Sequence, residues 1–351
     1  MNTKKNYYIE LLRFIFCILI LLHHSGLVSP DGSGLIPSAG VLGDAFFIIT
    51  GYFACKHVVS MGDRPKSPAK YSINYTVKKL VRVLPYSTFG VLIVYLLEFI
   101  HLTSFSVRDI LGRLYTMVVE ILLLPMLGIM EVNLITIRNA PLWYLSATLI
   151  ALPFVIYLSL KIPKIFSRVL VWIVPFALEI WMVKTYGGAL PWLDRAFFIY
   201  SGAIRGFSSI MLGCAVYYVS DKLSEVISEE KRTLQVLLTI IEGIIFAVVL
   251  YNVCKGIGGY TETLTIYMVA VMLALTFSGR TLTSRLQCEK FGILGAISLP
   301  VYCIHWGIYR WVGTYLRMLP YWLSIVVTIL LCIIAAFVLM ELVKRISKKS
   351  R

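Results

Sequence analysis

Residues 8–28 read YIELLRFIFCILILLHHSGLV, an apolar run broken by Glu10, Arg13 and a terminal pair of histidines. A bilayer core of about 30 Å takes about 20 residues of helix, so this run is long enough to cross it. Outward from it, runs of the same kind occupy 39–58, 82–102, 142–161, 167–185, 198–219, 234–254, 261–278, 290–312 and 319–343. They are continuous rather than alternating, which argues for helices over barrel strands. The first run follows Lys4 and Lys5 as a signal peptide would. It is longer than a signal-peptide core, contains Arg13 and lacks a small-x-small cleavage site, so it reads as a retained helix.

Composition agrees with that reading. Of 351 residues, 59% are hydrophobic and 15% charged, too few polar side chains to cover a soluble globule. Abundant aliphatic residues and 13% aromatics exclude disorder. The net charge of +15 lies between the apolar runs and not on one soluble face, so no nucleic-acid partner is expected. The seven cysteines fall mostly inside or at the ends of the runs, with no C-x-x-C pair; they read as small apolar residues, and no metal site is expected. Lys and Arg concentrate in alternate loops, most heavily in 56–82, which puts both termini in the cytoplasm with an even number of crossings. The expected fold is all-α: a polytopic membrane protein of about ten transmembrane helices, one integral-membrane domain over residues 1–351 without a soluble domain. The lipid bilayer is its first partner, and the oligomeric state is left open. The stretch 106–130, with Arg108, Asp109, Arg113 and Glu120, reads as an amphipathic or re-entrant segment.

Charged residues inside spans point to function, because an Arg or Asp at a helix centre costs roughly 2.5–3.5 kcal/mol unless it faces a cavity or a partner. Arg13 and His24 are eleven residues apart, about 1100° of helix, which brings them within ~20° of one face and roughly 16 Å apart along the axis. Arg13 then lies toward the cytoplasm and His24 toward the outside, with His23 pointing about 100° away. A snorkelling Arg13 and a His24 that caps a wet helix end satisfy the same spacing. Asp44, in the segment GVLGDAFFIITGY (40–52), falls at the membrane level of His24. There it can orient an imidazole, or simply complement the helix N-terminus.

In KKLVRVLPY (78–86), Lys79 and Arg82 are neighbours on one helical face at the inner mouth. They suit phosphate groups, although topology alone also explains cations there. Arg205 begins a later span. Ser298, Tyr302 and His305 form one polar stripe in an apolar helix, with an aromatic belt and a core histidine as the plainer accounts. Trp143 and Tyr144 fit either a site or interfacial anchoring.

Taken together, these residues resemble the membrane-bound acyltransferase-3 family, bacterial proteins that acylate surface carbohydrates and related acceptors. The family's Arg-x10-His pattern is met by Arg13 and His24, and its D-x-F-F-x-x-[ST]-G segment by Asp44, Phe46, Phe47, Thr50 and Gly51. Its R-x-x-R-x-x-P-x-Y segment is met by Lys79, Arg82, Pro85 and Tyr86, with Lys for the first Arg. Trp143, Leu145 and Ser146 meet a W-x-L-S block, and Ser298, Tyr302 and His305 the late S-x-x-x-Y-x-x-H block. Five blocks in the family's order are far more specific than any one. Ala147 and Thr148 stand where many members carry Glu, which places the chain nearer the branches acting on polysaccharide or glycolipid intermediates.

The resemblance implies an O-acyltransferase of the bacterial cytoplasmic membrane that uses cytoplasmic acetyl-CoA, or another acyl-CoA, as co-substrate, and no metal. Its acceptor would be a hydroxyl of a surface polysaccharide or glycolipid precursor. Lys79 and Arg82 would hold the donor's phosphates, His24 would act as general base with Asp44 orienting it, and Arg13 would hold the donor's polar arm or counter a buried acid. Trp143, Arg205, Tyr302 and His305 would contact substrate. The rival reading is a transporter or flippase of a lipid-linked saccharide that uses the same polar stripe as its pathway. No matching pair of Gly- or Pro-broken helices in two halves supports it.

Overall fold

The computed structural model describes residues 6–101, 106–132, 136–228, 231–286 and 288–349, with side chains to residue 346. The protein is all-α, 79% helical. In chain order the helices are α1 (Tyr7–His23), α2 (Val41–Val59), α3 (Pro68–Val81), α4 (Leu84–Ile100), α5 (Val107–Ile121) and α6 (Trp143–Lys161). A single turn, α7 (Pro163–Ile165), and a π-helical turn at Phe166–Leu170 lead into α8 (Val171–Tyr186). There follow α9 (Ser201–Val226), α10 (Arg232–Lys255), α11 (Tyr260–Phe277), α12 (Glu289–Tyr315) and α13 (Tyr321–Lys349). The described strands are two-residue pieces, Arg195–Ala196 against Ile199–Tyr200.

Among the described residues, nine helical stretches are long and apolar enough to cross a membrane. The pair α3 and α4, bent by 54° at their junction, makes a tenth when counted as one span. The expected spans are met within a few residues, except that α9 runs on to Val226 from an expected end at 219, and two segments outside the spans are also helical. The basic loop 56–82 is partly helical: Ser67 caps α3 and Pro68 occupies its first turn, where a missing N–H costs nothing. Segment 106–130 contains α5, capped by Ser106, with Val107, Leu111, Leu114, Tyr115, Val118 and Leu122 exposed along it, the pattern of a helix lying in the interface.

Two apolar cores divide the bundle. One gathers α2, α6, α9 and α11, and the other gathers α4, α12 and α13. The rings of Phe46, Tyr144 and Tyr302 pack against both, so they mark the seam. Helix α9 is the axis of the first core, 72% buried over its span, whereas α10 is 17% buried and faces lipid along most of its length. What lets α2 approach α9 is glycine: a Cβ on Gly51 would sit 1.9 Å from the Ile210 carbonyl oxygen, and one on Gly213 2.1 Å from that of Ile48. Small residues at such a crossing give tight van der Waals packing where lipid removes most of the hydrophobic drive between helices.

Candidate active site

Three cavities lie in series along the seam. At the end of the bundle where α2 runs into α3, a groove of about 510 Å³ is lined by His57, Tyr71, Asn74, Tyr75, Lys78, Lys79 and Arg82. Lys79 also lines the next cavity, an inner chamber of about 210 Å³ whose polar groups include Arg13, Thr50 and Ser298 and whose walls are mostly apolar, with Phe46, Phe53 and Leu299 among them. An outer chamber of about 360 Å³ follows, lined by His23, His24, Trp143, Trp192, Arg205, Glu262 and Trp306, among others. Gly43, Tyr144 and Tyr302 line both chambers, so the two share a wall at the seam. Arg13 and His24 therefore line adjoining chambers that meet at Gly43, Tyr144 and Tyr302.

Helix α1, capped by Asn6 through the Tyr8 and Ile9 amides, gives way at His24 to a 3₁₀ turn running to Val28. Both histidines line the outer chamber, with ring centroids 4.9 Å apart. The Nδ1 of His23 lies 2.8 Å from the Ile36 carbonyl oxygen. A carbonyl only accepts, so in the neutral ring Nδ1 carries the proton and Nε2 is left as the acceptor. The His24 ring makes no hydrogen bond among the described residues, while its backbone N–H donates to the Ile20 carbonyl. Its ring stacks on His305 at 5.2 Å and meets Trp306 edge-to-face at 5.2 Å.

Several expected site residues take positions different from those expected. Asp44 does not orient His24. It is fully buried and bound to Arg205, which donates through Nε at 3.1 and 3.2 Å and through Nη2 at 2.5 Å, while Ser209 adds a bond at 2.8 Å. A buried guanidinium demands such a counter-charge, and helix α9 presents it directly opposite α2. Arg205 also donates to the carbonyls of Gly40 and Leu190 at 2.7 and 3.1 Å and lies over the Trp143 ring at 5.0 Å, so most of its five donors are engaged and it builds the chamber wall. His305 is buried and does not line the chamber. Its Nδ1 lies 2.7 Å from the Tyr302 carbonyl and its ring stacks on that of His24. The Tyr302 hydroxyl donates to the Pro141 carbonyl at 2.5 Å and is thus committed to the wall.

The other expectations are placed at cavities. Lys79 and Arg82 line the basic groove, Trp143 lines the outer chamber, and Arg13 lines the inner chamber while pairing with Glu10 at 2.8 Å. Sequence reasoning missed His23, Trp192, Trp306 and Glu262. It also missed how Glu120 shapes the site: this buried carboxylate accepts the Arg138 and Asn139 amides at 2.7 and 3.0 Å and the Tyr95 hydroxyl at 3.0 Å. Asn139 in turn donates to the Cys303 carbonyl at 3.1 Å. The end of α5 thereby fixes the segment carrying Ala140 and Pro141, both at the outer chamber.

A family model described as an acyltransferase domain matches residues 6–341, nearly the whole chain. The chain belongs to the acyltransferase-3 family. No curated protein and no solved structure matches it. As an acyltransferase-3 member it is a multi-pass membrane acyltransferase, and each of the five sequence blocks places at least one residue in the lining of a cavity. Thr50 hydrogen-bonds Tyr144 at 3.4 Å, Phe47 packs on Tyr144 at 4.2 Å, and Ser146 receives the Met126 amide at 2.9 Å.

Proposed function

We propose that the chain transfers an acyl group, acetyl in the first instance, from a cytoplasmic acyl-CoA to a hydroxyl of a surface glycan or glycolipid precursor, across a bacterial cytoplasmic membrane. The observation that carries this reading is the shared lining: Lys79 joins the basic groove to the inner chamber, and Gly43, Tyr144 and Tyr302 join the inner chamber to the outer one.

The groove suits the phosphates and nucleotide of the donor, since Lys78, Lys79 and Arg82 supply three cations beside the rings of Tyr71 and Tyr75. The inner chamber suits the arm that follows, with apolar walls for its methylenes and Arg13, Thr50 and Ser298 for its amides. The thioester then reaches the wall at Tyr144 and Tyr302. From the outer chamber an acceptor hydroxyl attacks the thioester carbonyl as His24 takes its proton. A C–O bond forms, the C–S bond breaks, and the proton passes from the imidazolium to the departing thiolate.

The test is acyl transfer by purified protein in nanodiscs, followed as CoA release and as acylated product. His24→Ala should abolish both while leaving the folded protein in the membrane, and retained turnover would remove the general-base assignment.

A further inference from the structure

The outer chamber carries an electrostatic imbalance that the transfer mechanism does not use. Its charged and titratable lining consists of His23, His24, Tyr144, Tyr302, Arg205 and Glu262. Arg205 is already neutralised by Asp44 from behind the wall. Glu262, in the first turn of α11, forms no ion pair among the described residues: its Oε2 accepts the Ala189 amide at 2.7 Å, an uncharged donor. A carboxylate has about four acceptor positions, so it retains capacity for a ligand's donors. Around it stand aromatic faces suited to a sugar ring: Trp192, stacked with Trp143 at 5.8 Å, and Trp306.

Building on the glycan-acceptor reading above, we propose that Glu262 selects the acceptor by charge, so that the outer chamber takes a sugar unit that is neutral or bears an amine and rejects units bearing a carboxylate or phosphate. In a partly open chamber walled by protein, where the effective dielectric is below that of water, a single fixed charge discriminates more strongly than it would in water. Glu262 is a specificity residue in this scheme. The proton transfer stays with His24.

Tryptophan fluorescence of the full-length protein, titrated with methyl glucoside, glucosamine and methyl glucuronide, reads the preference directly. The expected order is glucosamine tightest and glucuronide weakest, each step at least about threefold. Glu262→Gln should collapse that order toward equal affinities, and Glu262→Asp should retain it. Equal or tighter binding of glucuronide by the wild-type protein overturns the proposal whatever the variants do, as does an unchanged order in folded Glu262→Gln. Turnover of acetyl-CoA by the same wild-type preparation separates the two readings. Turnover without charge ordering defeats only this inference, whereas absent turnover defeats the transferase reading beneath it.

Discussion

Replacing Asp44 by Asn removes the counter-charge of Arg205 and leaves the guanidinium 2% exposed inside the bundle. Breaking one partner of a buried pair costs about 3–5 kcal/mol, chiefly because the remaining charge is stranded. At about 2 °C per kcal/mol for a chain of this length, the thermal midpoint should fall by roughly 6–10 °C. The double variant Asp44→Asn with Arg205→Gln removes both charges and should recover about half of that loss, because Gln cannot replace the bonds to Gly40 and Leu190. Differential scanning fluorimetry in a mild detergent measures both midpoints, and CoA release measures activity. If Asp44 served His24 instead, Asp44→Asn would keep its midpoint and lose turnover, and the double variant would restore nothing. That pattern would refute the assignment of Asp44 to the scaffold.

Other outcomes follow from the same geometry. Lys79→Gln with Arg82→Gln should raise the Michaelis constant for acyl-CoA at least about tenfold and leave that for acceptor nearly unchanged; an unaltered donor dependence counts against the phosphate groove. Gly51→Leu should abolish assembly of the folded bundle, since the new side chain meets the α9 backbone, and size-exclusion chromatography of detergent-extracted protein will show whether a monodisperse species survives. Glu120→Gln keeps the shape of the side chain but weakens the bonds that hold Arg138 and Asn139, so it should cost about 1–3 kcal/mol in stability and lower turnover with little effect on donor binding. His305→Phe preserves a flat ring beneath His24 and should retain far more activity than His305→Ala; equal losses in kcat would argue against support by stacking.

Much of this architecture is legible in the chain because the bilayer imposes one strong rule, a continuous apolar run for every crossing. Helix boundaries such as Tyr7, Trp143 and Tyr260 fall within a residue of the expected spans. Helix α3 escapes because its composition is polar and its lysines satisfy the topology rule equally well as a loop; Ser67 followed by Pro68 was the available signal. Within the site, periodicity places residues on a face but cannot name the neighbour across it. The Asp44–Arg205 pair joins positions 161 apart in sequence, and nothing local in either helix specifies it. Helical spacing separates His23 from His24 by about 100°, yet both rings line the outer chamber, because the chamber is wide enough to meet two adjacent positions of one helix end. Trp192 lies in a loop between spans, where no repeating pattern exists to single it out, and Glu262 sits in the first turn of α11, where the helix dipole alone accounts for an acid.

The series of cavities is the central claim, and a structure of the protein bound to a non-hydrolysable acetyl-CoA analogue tests it most directly. The account predicts the analogue's phosphates at Lys79 and Arg82, its arm through the chamber beside Arg13 and Ser298, and its acyl carbon at the Tyr144–Tyr302 wall facing His24. An analogue seated elsewhere, or with its acyl end turned away from that wall, would contradict it.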